Sequence, residues 1–240
     1  MTKVFLRSLL IQSLWNFERM QNLGFLYCLY PALLRLYPEG PRRRAAFERH
    51  LEYFNTHPYL ANILVGISLW QEEKNAATGD ALSQEIPSVK SRMAGPIAAI
   101  GDSFFWGAWR PFCALGAVVL IIFTQARSLW PCVLFLAVYN SIHLLVRWKG
   151  LSDSYQKGTA VVHMLGRMQL QRWVRWVHLA GFLLVAALLA DHIFEAWWDR
   201  EFVLVSITSL VVFMGFLRFG FSTTKLLYGA VLAGLIIGLI

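Results

Sequence analysis

Charged residues are scarce in this chain. Asp, Glu, Lys and Arg make up 15% of its 240 residues, whereas 57% are hydrophobic. Soluble domains carry about 25% charged and roughly 45–50% apolar residues. The scarcity of charge therefore excludes an ordinary soluble domain and indicates an integral membrane protein.

Cysteine is also scarce, and the common sequence signatures of enzymes are missing. Cys28, Cys113 and Cys132 are widely spaced in apolar sequence, which excludes a disulfide framework and a cysteine metal site. The sequence contains no Walker loop, dinucleotide fingerprint, HExxH or GxSxG motif. Its 6 histidines form no i, i+4 pair. We expect no catalytic residue, metal site or cofactor, and a membrane enzyme using His and Glu is the least favoured class.

The charge that is present is mostly positive, with 22 basic and 14 acidic residues and a net charge of +8. The apolar content argues against nucleic acid as the partner and favours an anionic lipid surface. Basic residues dominate the connector 147–176, whereas acidic residues dominate 195–201. The positive-inside rule then predicts that the N-terminal half lies on the cytoplasmic side and that the C-terminus is external.

The apolar sequence is unevenly distributed. Long runs occur at 96–124, 129–146, 177–194, 202–217 and 226–240. Because a membrane span needs roughly 20 apolar residues, these runs predict an all-α, polytopic membrane region over 91–240. The last two runs are short for full spans. We expect 1–90 to be a cytoplasmic-side region of amphipathic helices, within one family domain over 1–240.

Several boundaries can be predicted within 1–90. Apolar residues from Phe5 to Phe17 recur at helical spacing and predict an amphipathic first helix. Pro31 interrupts the next apolar run, and Glu72 to Lys74 end a segment near 58–71 that is too short to span. We interpret that segment as re-entrant or buried, and Asn75–Gln84 as an exposed loop.

The stretch SRMAGPIAAIGDSFFWGAWRP, residues 91–111, places Asp102 between small and aromatic residues. Asp102 and Ser103 are good N-cap residues for a helix beginning at Phe104. Alternatively, Pro58–Trp70 and Pro96–Ile100 are paired half-helices, and transporters place substrate sites at such breaks. The residue types suited to a sugar path are Asn55, His57, Glu72, Glu73, Gly101, Asp102 and Trp106. Turn formation, solvation of a helix end and aromatic packing are the alternative roles for these side chains.

Three stretches carry a resemblance to a known family. They are NFERMQNLGFLYCLYPAL (16–33), RHLEYFNTHPYLANILVGISLWQEEK (49–74) and IPSVKSRMAGPIAAIGDSFFWGAWRP (86–111). They resemble the IID subunit of the mannose/fructose/sorbose family of bacterial phosphotransferase-system (PTS) permeases. The match is dense over the first 111 residues and weaker beyond them.

The resemblance implies a function and a set of partners. A IID chain pairs with a homologous IIC chain in the bacterial inner membrane, typically as a trimer of pairs, and forms an elevator-type permease. The pair translocates a hexose, and soluble IIA and IIB proteins phosphorylate it. The chain is then a permease subunit rather than an enzyme, since the partners carry out phosphoryl transfer.

This sequence departs from the family motif at three positions. Ala94 stands between Met93 and Gly95, where the family motif has methionine directly before the glycine. Ala99 replaces the second glycine of the motif, and Ser154 stands where a Gly-Tyr pair would have its glycine. A methyl group at a glycine position can prevent a close backbone approach or a positive φ angle. The alternative function is therefore a non-transporting scaffold or regulatory subunit that keeps the IIC contact.

Overall fold

A computed structural model of the protein describes residues 1–125, 127–161 and 170–196, together with Thr208 and Val211. The regular structure within these residues is helical, with isolated β-bridges at Met20 and no strand. The elements are α1 (Thr2–Ser8), α2 (Asn22–Leu36), α3 (Pro41–His50), α4 (Ala61–Ala77), α5 (Glu85–Gly101), a π-helix (Asp102–Trp109), α6 (Arg110–Phe123), α7 (Trp130–Lys157), a 3₁₀ turn (Gly158–Ala160) and α8 (Leu170–Ala196). The helical expectation is thus confirmed for the described residues. The predicted runs at 202–217 and 226–240 lie, apart from Thr208 and Val211, outside them, and so does the predicted external C-terminus.

Among the residues that the structure describes, two stretches are long and apolar enough to cross a bilayer. One is the continuous helix Glu85–Phe123 of 39 residues, formed by α5, the π-helix and α6, and the other is Trp130–Ala160 of 31 residues. In each stretch, only 11% of the most apolar 18-residue segment is buried inside the protein. A helix of about 20 residues spans the roughly 30 Å hydrocarbon core, so both exceed the required length.

Helix α4 forms the centre of the core, with most of its residues buried, and packs mainly against α7. Gly66 permits the close approach. A Cβ atom there would lie 2.6 Å from the carbonyl oxygen of Leu151 and 2.7 Å from the Cβ of Ser154. Ser154 is fully buried, and it stands at a position where the family resemblance leads us to expect glycine. The missing side chain of Gly66 therefore supplies the room that Ser154 takes.

Helix α2 continues through Pro31, so the prediction that this proline interrupts it is wrong. Proline has no N–H group, and it therefore leaves the carbonyl four residues earlier without its helical donor. That carbonyl belongs to Tyr27, and Arg7 of α1 donates a hydrogen bond to it at 3.2 Å. The Arg7 guanidinium also lies 4.5 Å from the centre of the Tyr27 ring. The proline thus creates the attachment point for α1.

Other predicted boundaries are also corrected. The first helix ends at Ser8 rather than near Phe17. Helix α4 runs past Glu72 to Ala77, and Asn75 is fully buried, so the predicted exposed loop begins later. The first part of the predicted 147–176 connector belongs to α7, which ends at Lys157. In each case tertiary contacts, rather than local polarity, determine where the helix ends.

Residues Met1–Leu184 form one compact unit and Val185–Ile240 a second. All sites described below lie in the first unit. The predicted division of the chain at residue 90 stays a prediction.

We expect Gly66→Ala to destabilise the chain by about 1–3 kcal/mol, because the added methyl group would overlap the α7 backbone. Thermal unfolding of the purified full chain in detergent measures this effect. Gly116→Ala is the control, since a Cβ atom there meets nothing within 4 Å. Equal melting temperatures for the two variants would contradict the close packing of α4 on α7.

Candidate functional site

The NTHP sequence, residues 55–58, precedes α4 and is fixed by hydrogen bonds at Thr56 and His57. The side-chain oxygen of Gln21 accepts a hydrogen bond from the Thr56 backbone N–H at 3.1 Å, and its amide nitrogen donates to the Thr56 carbonyl at 2.8 Å. The Thr56 hydroxyl donates to the carbonyl of Ala94 on α5 at 2.9 Å. The carbonyl of His57 then accepts from the N–H groups of Leu60 and Ala61. The NTHP sequence therefore joins α2, α4 and α5 at one point.

This arrangement places His57 against the start of the π-helix. The ring lies over Gly101, where a Cβ atom would overlap its Cβ and Cγ atoms. It stacks on Phe105 with ring centres 5.3 Å apart and contacts Trp106 at 4.8 Å. Only glycine at position 101 permits this approach. We call His57, Gly101, Phe105 and Trp106 the His57 cluster.

His57 is neutral in this cluster. Burial, aided by the positive charge of Arg147, lowers the pKa of His57 to about 4. Its Nδ1 accepts a hydrogen bond from the Tyr59 N–H at 3.3 Å, which assigns the ring proton to Nε2. Within the described part of the chain, that Nε2–H group has no acceptor although it is buried. The cluster therefore contains one unused hydrogen-bond donor.

The π-helix replaces the helix break that the sequence predicts at Gly101. Asp102 has helical backbone angles and makes no side-chain cap, so its interpretation as the N-cap of a helix from Phe104 is wrong. The N–H of Arg110 bonds to the carbonyl of Phe105, five residues earlier. Single π-helical turns within α-helices occur frequently at functional sites. The helix stays continuous, but the π-helical turn changes the direction in which the side chains after it point around the helix axis.

Pro111 accounts for a further contact of the π-helix. Its missing N–H leaves the carbonyl of Gly107 without the donor that a regular helix would supply. The Nε2 of His178 on α8 lies 3.0 Å from that carbonyl oxygen and donates to it. A proline thus again exposes a carbonyl that a side chain from another helix satisfies.

One face of the long helix stays exposed, and it is more polar than the rest. It includes Gly95, Ala99, Asp102, Ser103, Trp106 and Gly107. Ala94 and Ala99, two of the three departures from the family motif, lie in regular helix without a positive φ angle. Their methyl groups therefore cause no backbone strain in this chain.

Glu72 lies in a different place, inside a buried network. Arg49 donates to both carboxylate oxygens, at 2.7 and 3.0 Å, and the Tyr37 hydroxyl donates at 2.6 Å. The Nε2 of His50 lies 2.7 Å from Oε1. The amide of Asn75 donates to the Tyr37 oxygen at 3.0 Å. These five residues, the Glu72 network, join α2, α3 and α4.

The charges of the Glu72 network balance within the protein. Burial alone raises the pKa of Glu72, but the hydrogen bonds from His50 and Arg49 outweigh it and lower the pKa to about 2. Burial lowers the pKa of His50. The hydrogen bond and negative charge of Glu72 oppose this, but burial, together with the positive charges of Lys90 and Arg49, outweighs them. His50 is therefore neutral and donates through Nε2, while its Nδ1 has no hydrogen-bond donor among the residues that the structure describes. One carboxylate and one guanidinium form the ion pair.

The seven residues selected from the sequence thus fall into separate places. His57, Gly101 and Trp106 are in contact, and Asp102 is adjacent to them in the chain. Asn55 is exposed and precedes Thr56, whose backbone is hydrogen-bonded to the side chain of Gln21. Glu72 lies eleven residues into α4 from Ala61, about 16 Å along the helix at 1.5 Å per residue. Glu73 is on the surface and accepts a hydrogen bond from the hydroxyl of Tyr155 at 2.6 Å.

Sequence reasoning missed most of the polar groups around these residues. Arg49 and His50 lie a few residues before the NTHP motif, in RHLEYFNTHP, and this nearness was the available signal. On α7, Tyr139 and His143 contact Tyr59: the two hydroxyl oxygens are 3.0 Å apart, and the Tyr59 and His143 rings stack at 4.3 Å. The four-residue spacing of Tyr139 and His143 was the available signal, since it places both on one helical face.

The His57 cluster offers a hydrogen-bond donor and aromatic faces. In the described part of the chain, no group of three His, Cys, Asp or Glu side chains is arranged to hold a metal ion. The exposed Asp102 carboxylate and Trp106 ring instead offer an acceptor and an aromatic face. Such groups suit an uncharged polyhydroxylated ligand or a polar helix of a partner.

We expect the stability of the chain to fall as the pH falls below about 6.5, the ordinary pKa of histidine. The unfolded chain then binds protons at His50 and His57 that the folded chain excludes, since the pKa values of both are lowered. Each group contributes up to about 1.4 kcal/mol per pH unit. Melting temperatures between pH 8 and 5 should show a smaller slope for His50→Gln than for wild type. Equal slopes would contradict a neutral, buried His50.

We expect Gly101→Ala to disrupt the His57 cluster, because the new methyl group would overlap the His57 ring. A loss of about 1–3 kcal/mol of stability should follow. Gly95→Ala on the same helix is the matched control, since open space surrounds that position. If thermal unfolding of the full chain shows the same stability for both variants, His57 does not pack on Gly101.

Comparison with known proteins supports a family assignment. Over 188 residues the chain is 40% identical to the PTS system mannose-specific EIID component of Escherichia coli (strain K12), covering 78% of this chain and 65% of that protein. It is 35% identical to the fructose permease IID component of Bacillus subtilis (strain 168), covering 78% and 67%. The sorbose-specific EIID component of Klebsiella pneumoniae is 34% identical, covering 79% and 68%. The match thus spans about two thirds of the length of these relatives.

Solved structures agree with the sequence comparison. A structure described as a membrane protein matches with a TM-score of 0.74 at 30% identity, covering 97% of this chain and 93% of the other. A chain from the cryo-EM structure of the mannose transporter ManYZ with microcin E492 matches with a TM-score of 0.61 at 31% identity, covering 98% and 93%. The family model described as PTS system mannose/fructose/sorbose family IID component matches residues 1–196. The chain belongs to the mannose/fructose/sorbose IID family of membrane PTS components.

Proposed function

We propose that this chain is the IID subunit of a hexose permease of the mannose, fructose or sorbose type. It pairs with a IIC subunit and translocates the sugar, while soluble IIA and IIB proteins phosphorylate it. Family membership and the likeness to a chain of the mannose transporter ManYZ support this function. The permease is of the elevator type, and α4 is its re-entrant or buried segment.

One observation carries the proposal. Asp102 is exposed in the middle of a helix of 39 residues that is apolar enough to cross a bilayer. A carboxylate facing lipid at the bilayer centre costs about 2.5–3.5 kcal/mol on insertion scales, so such residues face a protein partner or a water-filled path. Asp102 and Trp106 therefore face the IIC subunit or the sugar path that the two subunits enclose.

The remaining site residues support that face. His57 and Gly101 hold the π-helix in place, and Asn55 lies at the clamped turn beside them. All Glu72 oxygens are engaged by Arg49, His50 and Tyr37, so Glu72 acts by fixing α2, α3 and α4. Glu73 lies on the same helix and bonds to Tyr155.

The proposed assembly rests on the family resemblance, and the proposed orientation rests on the positive-inside rule. The complex is a trimer of IIC–IID pairs in the bacterial inner membrane, with the N-terminal half of this chain on the cytoplasmic side and its C-terminus outside. The low burial of the two long helices within this chain leaves their surfaces available for lipid and for IIC. The scaffold alternative predicts the same complex without sugar uptake.

We expect Asp102→Asn and Asp102→Ala to lower the uptake of labelled hexose by about tenfold or more, since a hydrogen bond to a charged group contributes roughly 1.5–3 kcal/mol. The assay uses cells that express this chain with its IIC, IIA and IIB partners. Co-purification with IIC checks that the complex still forms. Glu48→Gln, which removes an exposed carboxylate paired with Arg44, is the control and should leave uptake unchanged.

Three outcomes separate the possibilities. Wild-type uptake that requires IIA and IIB supports the permease. A stable IIC complex that transports no hexose supports the scaffold alternative. Normal uptake by both Asp102 variants would show that this carboxylate faces neither the sugar nor an essential contact.

A further inference from the structure

The outward face of α8 changes from basic and aromatic to aliphatic along its length. Arg172, Arg175, Trp176 and Leu179 recur at three- and four-residue spacing, and all four are exposed. They line a surface depression of about 480 Å³. Residues at these spacings lie on one side of an α-helix, so the two guanidinium groups and the indole ring face the same surroundings.

The opposite side of α8 faces the protein. His178 donates a hydrogen bond to the carbonyl of Gly107, and a Cβ atom at Gly181 would lie 3.8 Å from the ring of Phe112. Gly181 lies nine residues after Arg172, on the opposite side of the helix, and His178 lies between the two sides. Arg172, Arg175 and Trp176 are all exposed, so the basic face is open to the surroundings of the compact unit.

Arg172 and Arg175 have no counter-charge among the described residues. In the part of the chain that the structure describes, neither Arg172 nor Arg175 forms an ion pair or a hydrogen bond with another side chain. Three other exposed arginines of the described residues do pair with a carboxylate: Arg19 with Glu18, Arg42 with Asp80 and Arg44 with Glu48. An anion from outside the chain would therefore be bound without displacing an internal partner.

The dimensions of this face fit one leaflet of a bilayer. Leu179, Phe182 and Leu183 continue it, with 45%, 69% and 57% of their surfaces exposed. From Arg172 to Leu183 the helix rises about 16 Å at 1.5 Å per residue. Half of the roughly 30 Å hydrocarbon core is about 15 Å. A lipid with its phosphate at the arginines would thus lay its acyl chain along the aliphatic part.

The aromatic residues support the same placement. Trp173 and Trp176 are each 61% exposed, beside the arginines. Tryptophan is enriched at the level of lipid headgroups, and basic residues attract anionic lipids by about 1 kcal/mol each. A planar guanidinium group can also bind phosphate oxygens through two parallel hydrogen bonds.

We propose that Arg172, Arg175 and Trp176 form a binding site for the headgroup of an anionic phospholipid, whose acyl chain lies along Leu179, Phe182 and Leu183. The proposal is independent of which sugar the permease moves and of whether it transports at all.

The test measures lipid binding by the purified, delipidated full chain in a neutral detergent. Native mass spectrometry counts bound phosphatidylglycerol and phosphatidylcholine over a range of lipid concentrations. We expect wild type to prefer phosphatidylglycerol. Arg172→Gln/Arg175→Gln should weaken that binding by about tenfold or more, as expected from the loss of two charges near a lipid surface.

Two further variants separate charge from folding. Arg172→Lys/Arg175→Lys keeps both positive charges and should retain most of the preference, although lysine lacks the planar fork. Arg19→Gln/Arg44→Gln removes two arginines that pair with glutamates on the surface and should bind lipid like wild type. If Arg19→Gln/Arg44→Gln weakens lipid binding as much as Arg172→Gln/Arg175→Gln does, the effect is one of net charge and the proposed site is wrong.

Other results would also overturn the proposal. Equal binding of the two lipids by wild type excludes an anionic headgroup site, whatever the variants do. Full competition by soluble glycerol phosphate at the same concentration shows a site for a free anion instead. If the Gln variant binds lipid normally but loses a co-purifying membrane protein, the face is a protein interface.

Discussion

The buried carboxylate of Glu72 is the constraint on which the arrangement of α2, α3 and α4 depends. A carboxylate without water is tolerated only when its oxygens are fully hydrogen-bonded and its charge is matched. Arg49, His50 and Tyr37 meet both requirements, and they come from α2 and α3. The network therefore fixes these helices on α4. With α4 in place, His57 at its N-terminal end reaches the π-helix.

Helical prolines impose a second constraint with the same physical basis. A proline removes a donor and leaves a carbonyl that must find another partner when water is excluded. Arg7 satisfies the carbonyl exposed by Pro31, and His178 satisfies the one exposed by Pro111. Helices that are distant in sequence are thus connected at the points where the helical hydrogen bonding is incomplete. These prolines do not end helices here but determine where other helices attach.

The site and its support have different exposures, which reflects their different roles. His57, Gly101 and Phe105 are buried and position the π-helix, whereas Asp102 and Trp106 on that helix are exposed. A rigid support with an exposed polar face is the arrangement expected for a subunit whose partner completes the site. The residues of this site could be predicted from the sequence, because RHLEYFNTHP and GPIAAIGDSFFW contain nearly all of them. The separation of Glu72 from His57 could not be predicted from the sequence. His57 lies just before α4 and contacts the π-helix, whereas Glu72 lies far along α4 and bonds to residues of α3 and to Tyr37.

The sequence by itself determined that this is a helical membrane protein, which family it belongs to, and which short motifs carry its polar residues. Composition and hydrophobic run length are sufficient for the first, since the bilayer sets both. Only the tertiary structure decided that Glu72 is enclosed by Arg49 and His50, that α2 passes through Pro31, and that Asp102 lies in a π-helix rather than at a cap. Each of these depends on a partner many residues away along the chain. Local sequence reports what a residue can do, whereas its burial and its hydrogen-bond partners are properties of the packed fold.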